Sequence, residues 1–184
     1  MSMLETDRLR LRRFETDDWQ ALARLYADDT VMRHMQSGRG LSRADAESRA
    51  RGNITNFNDH WRRRGFGVWA VTDRKSGRLL GQCGLRHVEE ARDVEILYLL
   101  NKTMWGKGLA TEAAGAALDF GLKTLGLDRI IGLVRPENAA SRRVLEKLGL
   151  RFERIAPIWQ MECCWYAVGR AAAASEPEER AQTA

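Results

Sequence analysis

The chain is poor in several residue types at once, and each shortage excludes something. Among 184 residues there are three cysteines, three prolines and three histidines. Cys83, Cys163 and Cys164 are odd in number and make no C-x-x-C pair, which excludes a disulfide framework and a cysteine zinc site. Each reads instead as a thiol packed like a small hydrophobe, with the adjacent Cys163 and Cys164 pointing to opposite faces of a strand. His34, His60 and His87 lie scattered, without metal-ligand or nucleophile spacing, and read as ordinary surface or satisfied side chains. No metal is implied. No apolar run approaches the ~20 residues of a membrane span. Charged Glu5, Asp7 and Arg8 stand where a secretory leader needs an apolar core, so a cytoplasmic protein with no membrane partner is expected. No internal repeat is visible.

What is present fits a single domain. The chain is 44% hydrophobic and 30% charged, a composition suited to one soluble core. We expect that domain over residues 1–170, and a disordered tail over 171–184, where Ala, Glu, Pro and Gln mix without apolar periodicity. The net charge of +5 suits an acidic ligand. Arg8, Arg10, Arg12 and Arg13, and later Arg62, Arg63 and Arg64, read as solvated faces, leaving RNA binding a minority reading.

Periodicity outlines the elements. Residues 8–12 alternate as a strand with one wet face. Residues 16–29 read as a helix with Trp19, Leu22, Leu25 and Tyr26 on one side. Ser42 and Asp45 resemble a capping-box start to a helix that carries Ala46, Ala50, Ile54, Phe57 and Trp61 and breaks at Gly65. Residues 66–72, a turn at 74–77, and residues 79–88 form a hairpin signal, with Gly81 and Gly84 permitting a bulge or close packing. A strand over 94–100 precedes a small-residue helix whose face is Leu109, Ala113, Ala116 and Phe120, ending near Gly126. A buried strand over 129–134, a helix over 138–148 stopped by Gly149, and strands over 152–155 and 161–168 complete the chain. The expected fold class is α/β (α+β), a mixed, mostly antiparallel central sheet flanked by helices.

One segment carries the chemistry. Trp105-Gly106-Lys107-Gly108-Leu109-Ala110-Thr111-Glu112-Ala113 leaves a strand and opens a helix. With no side chain at Gly106 or Gly108, several backbone N–H groups can converge beside a helix N-terminus, making an anion cradle. A dinucleotide fingerprint would need Gly or Ala where Thr111 stands, and a P-loop would not place Gly108 after Lys107. NAD and ATP are therefore poor candidates.

These residues resemble the acyl-CoA-binding motif of GNAT N-acetyltransferases, together with Val94-Glu95-Ile96-Leu97-Tyr98-Leu99-Leu100 before them. Arg135-Pro136-Glu137-Asn138-Ala139-Ala140-Ser141, running on to Lys147-Leu148-Gly149, resembles the Asn-x-x-Ser helix of the RimJ/RimL-like branch, whose members acetylate protein N-termini. Glu5-Thr6-Asp7-Arg8-Leu9-Arg10-Leu11-Arg12 is similar to that branch's first strand. The resemblance covers roughly residues 4–169 and implies the GNAT acyl-CoA N-acyltransferase fold with acetyl-CoA as cosubstrate. It further implies that Trp105, Gly106, Lys107, Gly108, Leu109, Ala110 and Thr111 hold the pyrophosphate. Leu99 and Leu100 would pair with the pantetheine arm, and Asn138 would hydrogen-bond it, with Ser141 one turn later on the same face.

Amide formation from a thioester needs a base for the amine, a donor for the oxyanion and a proton for the thiolate. Glu95, on the strand facing the cosubstrate, is the first choice of base, and Glu162 the second. Each has the plainer reading of a strand carboxylate facing solvent. A backbone N–H within 97–100 would serve the oxyanion. Many GNAT enzymes place Tyr where this chain has Leu145, which leaves Ser141 as the proton donor, unless its role is helix capping. Trp19, Trp61, Trp69 and Tyr26 read as core; residues 35–41, or Trp69, are the other candidates for an acceptor mouth. The acceptor is an amine, either a protein N-terminus or a small molecule. A non-catalytic CoA-binding sensor is the alternative, and an exposed late strand leaves a homodimer open.

Overall fold

The computed structural model describes residues 3–169. The tail expected to be disordered, 171–184, lies outside the described residues. The elements run β1 (Leu4–Glu5), β2 (Leu9–Arg12), α1 (Trp19–Tyr26), α2 (Asp29–Met32), α3 (Arg43–Arg64), β3 (Val68–Asp73), β4 (Leu79–Val88), β5 (Asp93–Leu100), α4 (Leu109–Asp119), β6 (Arg129–Val134), α5 (Ala139–Lys147), β7 (Arg151–Ile158) and β8 (Met161–Gly169). The strands form one eight-stranded sheet in the order β1-β2-β3-β4-β5-β6-β8-β7. Every neighbouring pair is antiparallel except β5–β6, so the mixed, mostly antiparallel α+β fold expected from the sequence is the fold observed.

Local chemistry explains the element ends. Ser42 caps α3 by accepting the Asp45 N–H, and Gly65 ends it in the left-handed conformation at φ 74°. Helix α4 is followed by one π-helical turn, Phe120–Thr124, which the periodicity did not announce. That turn carries the chain to Gly126, where φ is 69°. The face that α4 buries is Leu109, Ala113, Ala114, Ala117 and Leu118, so Ala117 takes the place expected of Ala116. Gly84 and Gly81 are required by close approach: a Cβ on Gly84 would meet the Gly67 carbonyl, and one on Gly81 the Leu99 carbonyl. Beside Gly81, the β3–β4 register shifts between Val71 and Thr72.

The sheet separates two environments. On one face, Ile96, Leu100, Ile130, Val134, Cys164 and Tyr166 pack with α4 and with Leu145 of α5. Trp61 and Trp69 stack edge-on there at 4.9 Å, and Trp69 is fully buried, which removes it from any acceptor mouth. On the other face, Val68 and Ala70 pack beneath α1 and α3, while Ile131, Cys163, Trp165 and Ala167 make a separate cluster. Cys163 and Cys164 thus face opposite ways, as their adjacency on β8 demands. A buried polar link ties the helices to the sheet: the Tyr26 hydroxyl donates to Gln82 Oε1 at 2.7 Å and accepts from Asn53 at 2.8 Å.

Candidate active site

The site grows from one irregularity in the sheet. Strands β5 and β6 pair in parallel only at Glu95↔Ile131. Beyond that point the β6-facing edge of β5 has no strand partner among the described residues, and Leu97, Tyr98 and Leu99 are half-buried rather than sealed. A strand in mid-sheet with an unpaired edge offers N–H and C=O groups to an extended ligand. Trp105 restricts which groups are free: its indole N–H donates to the Leu100 carbonyl at 2.9 Å. The Leu99 carbonyl lies against Gly81 of β4, so alternation turns the Leu99 backbone toward β4. The groups that face the gap are those of Tyr98 and the Leu100 N–H, while the Leu100 carbonyl is engaged and its side chain is core.

At the open end of β5 lies the glycine loop. Gly106 and Gly108 have φ of 73° and 74°, the left-handed region where glycine carries no steric penalty. Gly108 is the N-cap of α4, and no side chain caps that helix. The first N–H groups of α4, at Leu109, Ala110 and Thr111, therefore open toward the loop with the helix dipole behind them. Nothing stands within 4 Å of where a Cβ on Gly106 would lie. Lys107 is exposed beside this cradle. The residues fit a diphosphate: convergent N–H donors, a cation and open space.

The loop is braced from the first strand region. Glu112, in the first turn of α4, accepts from Thr6 Oγ1 at 2.6 Å, from the Arg8 backbone N–H at 3.0 Å and from Arg8 Nε at 2.6 Å. Arg8 Nη1 also donates to the Lys107 carbonyl at 2.9 Å, so one guanidinium ties the helix start to the loop. Burial pushes the Glu112 carboxyl up, but the Thr6 and Arg8 hydrogen bonds outweigh it and hold the group below its ordinary value.

A second cluster sits across the gap. Asn138 caps α5 by accepting the Ser141 N–H at 3.1 Å, leaving its amide NH2 as a donor. Because Asn138 performs the capping, the Ser141 hydroxyl is spent otherwise: its Oγ is 2.8 Å from the Tyr98 hydroxyl, which also donates to the Ser141 carbonyl at 3.0 Å. Reading the sequence missed Tyr98, although its place in the strand before the loop was a usable signal. Burial pushes its phenol pKa up, against the Ser141 hydrogen bond, so it stays protonated. Leu145, by contrast, is sealed against Gly132, where a Cβ would come within 2.7 Å of its methyls. Tyr98 and Ser141 thus supply two hydroxyl protons at the start of a helix whose Leu145 can supply none.

The two candidate bases are not together. Glu95 is buried on the face of Ile131, where Arg86 Nε donates to it at 2.8 Å; the Arg86 guanidinium also lies 4.8 Å over the Trp159 ring. Burial raises the Glu95 carboxyl pKa, opposed by Arg86. Glu162 is exposed opposite Pro157 in the β7–β8 hairpin, and alternation puts it on the Cys164 face. Only Glu95 adjoins the point where β5 and β6 part. Among the described residues no cluster of three or more His, Cys, Asp or Glu is placed to hold a metal.

A splayed parallel strand pair, a helix-opening glycine loop and hydroxyls facing the gap define an acyl-transfer architecture of the N-acetyltransferase type. Residues 8–151 match the acetyltransferase (GNAT) domain model, and the chain belongs to the GNAT acetyltransferase family. It is 34% identical over 167 residues to YkkB of Bacillus subtilis (strain 168), covering 89% of this chain and 93% of that protein. The crystal structure of a GNAT-family acetyltransferase from Bacillus anthracis is similar with a TM-score of 0.76 at 27% identity, covering 92% of this chain and 99% of that one. The fold is also that of Mycobacterium smegmatis RimJ in complex with CoA-disulfide, with a TM-score of 0.73 at 23% identity, covering 90% of this chain and 88% of that one. GNAT enzymes use acetyl-CoA as cosubstrate.

Proposed function

We propose that this protein moves an acetyl group from acetyl-CoA directly to a primary amine in a ternary complex. The observation that carries the reading is the parting of β5 and β6 at Glu95↔Ile131, with the uncapped start of α4 at one end of the gap and Tyr98–Ser141 on its wall. The N–H groups of Gly106, Gly108 and the first turn of α4 hold the pyrophosphate beside Lys107. The gap-facing backbone of Tyr98 and the Leu100 N–H pair with the pantetheine arm, and the Asn138 amide NH2 donates to it. Acetyl-CoA supplies the thioester, whose C–S bond breaks as the C–N bond to the amine forms.

The protein's own groups move the protons. Glu95, as carboxylate, takes the proton of the attacking amine, directly or through a water, and Arg86 steadies its charge. A backbone N–H of the 97–100 stretch donates to the developing oxyanion. The Ser141 hydroxyl, held by its hydrogen bond to Tyr98, gives its proton to the departing thiolate and regains one from solvent, while the N-terminus of α5 favours negative charge there. The geometry favours Glu95 over Glu162 as the base. We read the enzyme as cytoplasmic and RimJ/RimL-like, with a protein N-terminus or a small amine as acceptor, and with the exposed edge strand β7 available for a homodimer.

The test is thiol release from acetyl-CoA with a panel of amines that includes N-terminal peptides. Substitution Ser141→Ala should lower kcat about 10- to 100-fold with little change in KM for acetyl-CoA. Unchanged turnover removes Ser141 from the chemistry. Tight CoA binding without thiol release for any amine would replace the enzyme with a CoA-binding sensor.

A further inference from the structure

Most arginines of the sheet that have a buried or half-buried partner are well matched. Arg12 grips Asp18 through two bonds of 2.7 and 2.8 Å, Arg129 grips Glu153 through two of 2.8 and 2.7 Å, and Arg86 holds Glu95 at 2.8 Å. Arg135 is different. Its Nε is buried without any hydrogen-bond partner. Its Nη2 reaches only the Met35 carbonyl at 3.5 Å and the Met161 sulfur at 3.2 Å, a weak acceptor. Its nearest anion is Glu137 at 3.5 Å, a carboxylate 57% exposed to water. An exposed pair of that length contributes little, whereas a buried unpartnered donor carries a desolvation cost that needs a reason.

The position of Arg135 supplies the reason. Glu95 pairs with Ile131 on β6, and Ile131, Leu133 and then residue 135 alternate onto that same face of the sheet. Arg135 therefore stands about 13 Å up the strand line from Glu95, at the end where β5 and β6 have parted. The rim between them is formed by Met35 after α2, by Met161 of β8 and by Trp159 at the hairpin, with Leu97, Leu99 and Leu133 half-buried below. This is the opposite face from α4 and from Tyr98, and the acetyl-CoA position proposed above leaves it open to an acceptor. Arg86 is matched by Glu95, and the charges that act on His34, next to Met35, are Arg33 and Arg135 against the single carboxylate Glu137. Such a rim disfavours a polycation.

We infer that Arg135 receives a carboxylate carried a few bonds from the acceptor's amine, so that the acceptor class is an amino acid rather than a polyamine or an uncharged amine. The guanidinium fork, at present without a good oxygen partner, would close two charge-assisted hydrogen bonds on that carboxylate and hold the amine toward Glu95. The inference rests on the acyl-transfer reading and deepens it.

The test compares amino acids with their own carboxamides, beside diamines and amidated tripeptides, by thiol release from acetyl-CoA. Wild type should favour carboxylate over carboxamide by about 10- to 100-fold in kcat/KM for the acceptor. Arg135→Gln should erase that preference, and Arg135→Lys should retain part of it, both with KM for acetyl-CoA unchanged, which also shows that they fold. Carboxamides, diamines or amidated peptides turned over as fast as amino acids overturn the inference and leave acyl transfer standing. A preference that survives Arg135→Gln overturns the assignment to this residue. Thiol release with no amine at all overturns acyl transfer and this inference together.

Discussion

Removing the Glu112 carboxylate tests the brace beneath the phosphate loop. In Glu112→Ala, the Thr6 hydroxyl, the Arg8 N–H and the Arg8 guanidinium all lose one acceptor. Hydrogen bonds to a charged group contribute about 1.5–3 kcal/mol each when shielded. The Arg8 side chain is half exposed, so its share is screened, and the freed Thr6 and Arg8 groups recover water. A net loss of about 2–3 kcal/mol follows, including a few tenths for the helix dipole. For a chain of this length that is a fall in Tm of about 5–10 °C. Urea unfolding should be run across pH, because the sign is fixed. The carboxyl pKa is lower in the folded state, so its contribution is complete above the unfolded value of about 4.3. It is lost as pH falls through the folded value. The gap between wild type and variant should therefore be full at neutral pH and close on acidification. The same variant should raise KM for acetyl-CoA, since Arg8 also holds the Lys107 carbonyl. A loss under about 0.5 kcal/mol, or one equal at neutral and acid pH, refutes the reasoning.

Two further outcomes follow from the same geometry. Burial raises the Glu95 pKa, so the acidic limb of the kcat/KM profile should lie above the ordinary carboxylate range and vanish in Glu95→Gln. Stability has the opposite sense: a raised folded pKa means wild type loses stability as pH rises through it, and Glu95→Gln should be flat over that window. An unaltered acidic limb in the variant rejects Glu95 as the base. Gly132→Ala should cost about 1–3 kcal/mol by pressing on Leu145. Adding Leu145→Ala should cost less than the two single losses summed, and strict additivity in urea titrations would show that the two sites do not touch.

Local rules made most of the elements legible. Ser42 and Gly65 bound α3 because a cap oxygen and a left-handed glycine act within one turn. Alternation over β2 and the hairpin β3–β4 marked strands because side chains on a pleat alternate. The capping ambiguity at Ser141 also resolved locally, since Asn138 takes the Ser141 N–H. What the periodicity could not supply were features without a pattern of their own: the two-residue strand β1, and the π-helical turn Phe120–Thr124 after α4.

The sequence by itself determined the glycine loop, the helix behind it and the strand before it, since these are contiguous and their physics is short-ranged. Only the tertiary structure decided which distant groups share the site. Tyr98 meets Ser141 across 43 positions, Arg8 meets Glu112 across 104, and Arg135 meets the Met35 carbonyl across 100. Whether β5 and β6 pair along their length or part after Glu95 depends on how β6 and α5 pack against the rest of the sheet. Such pairings are set by packing among remote elements, and a one-dimensional pattern carries no record of them.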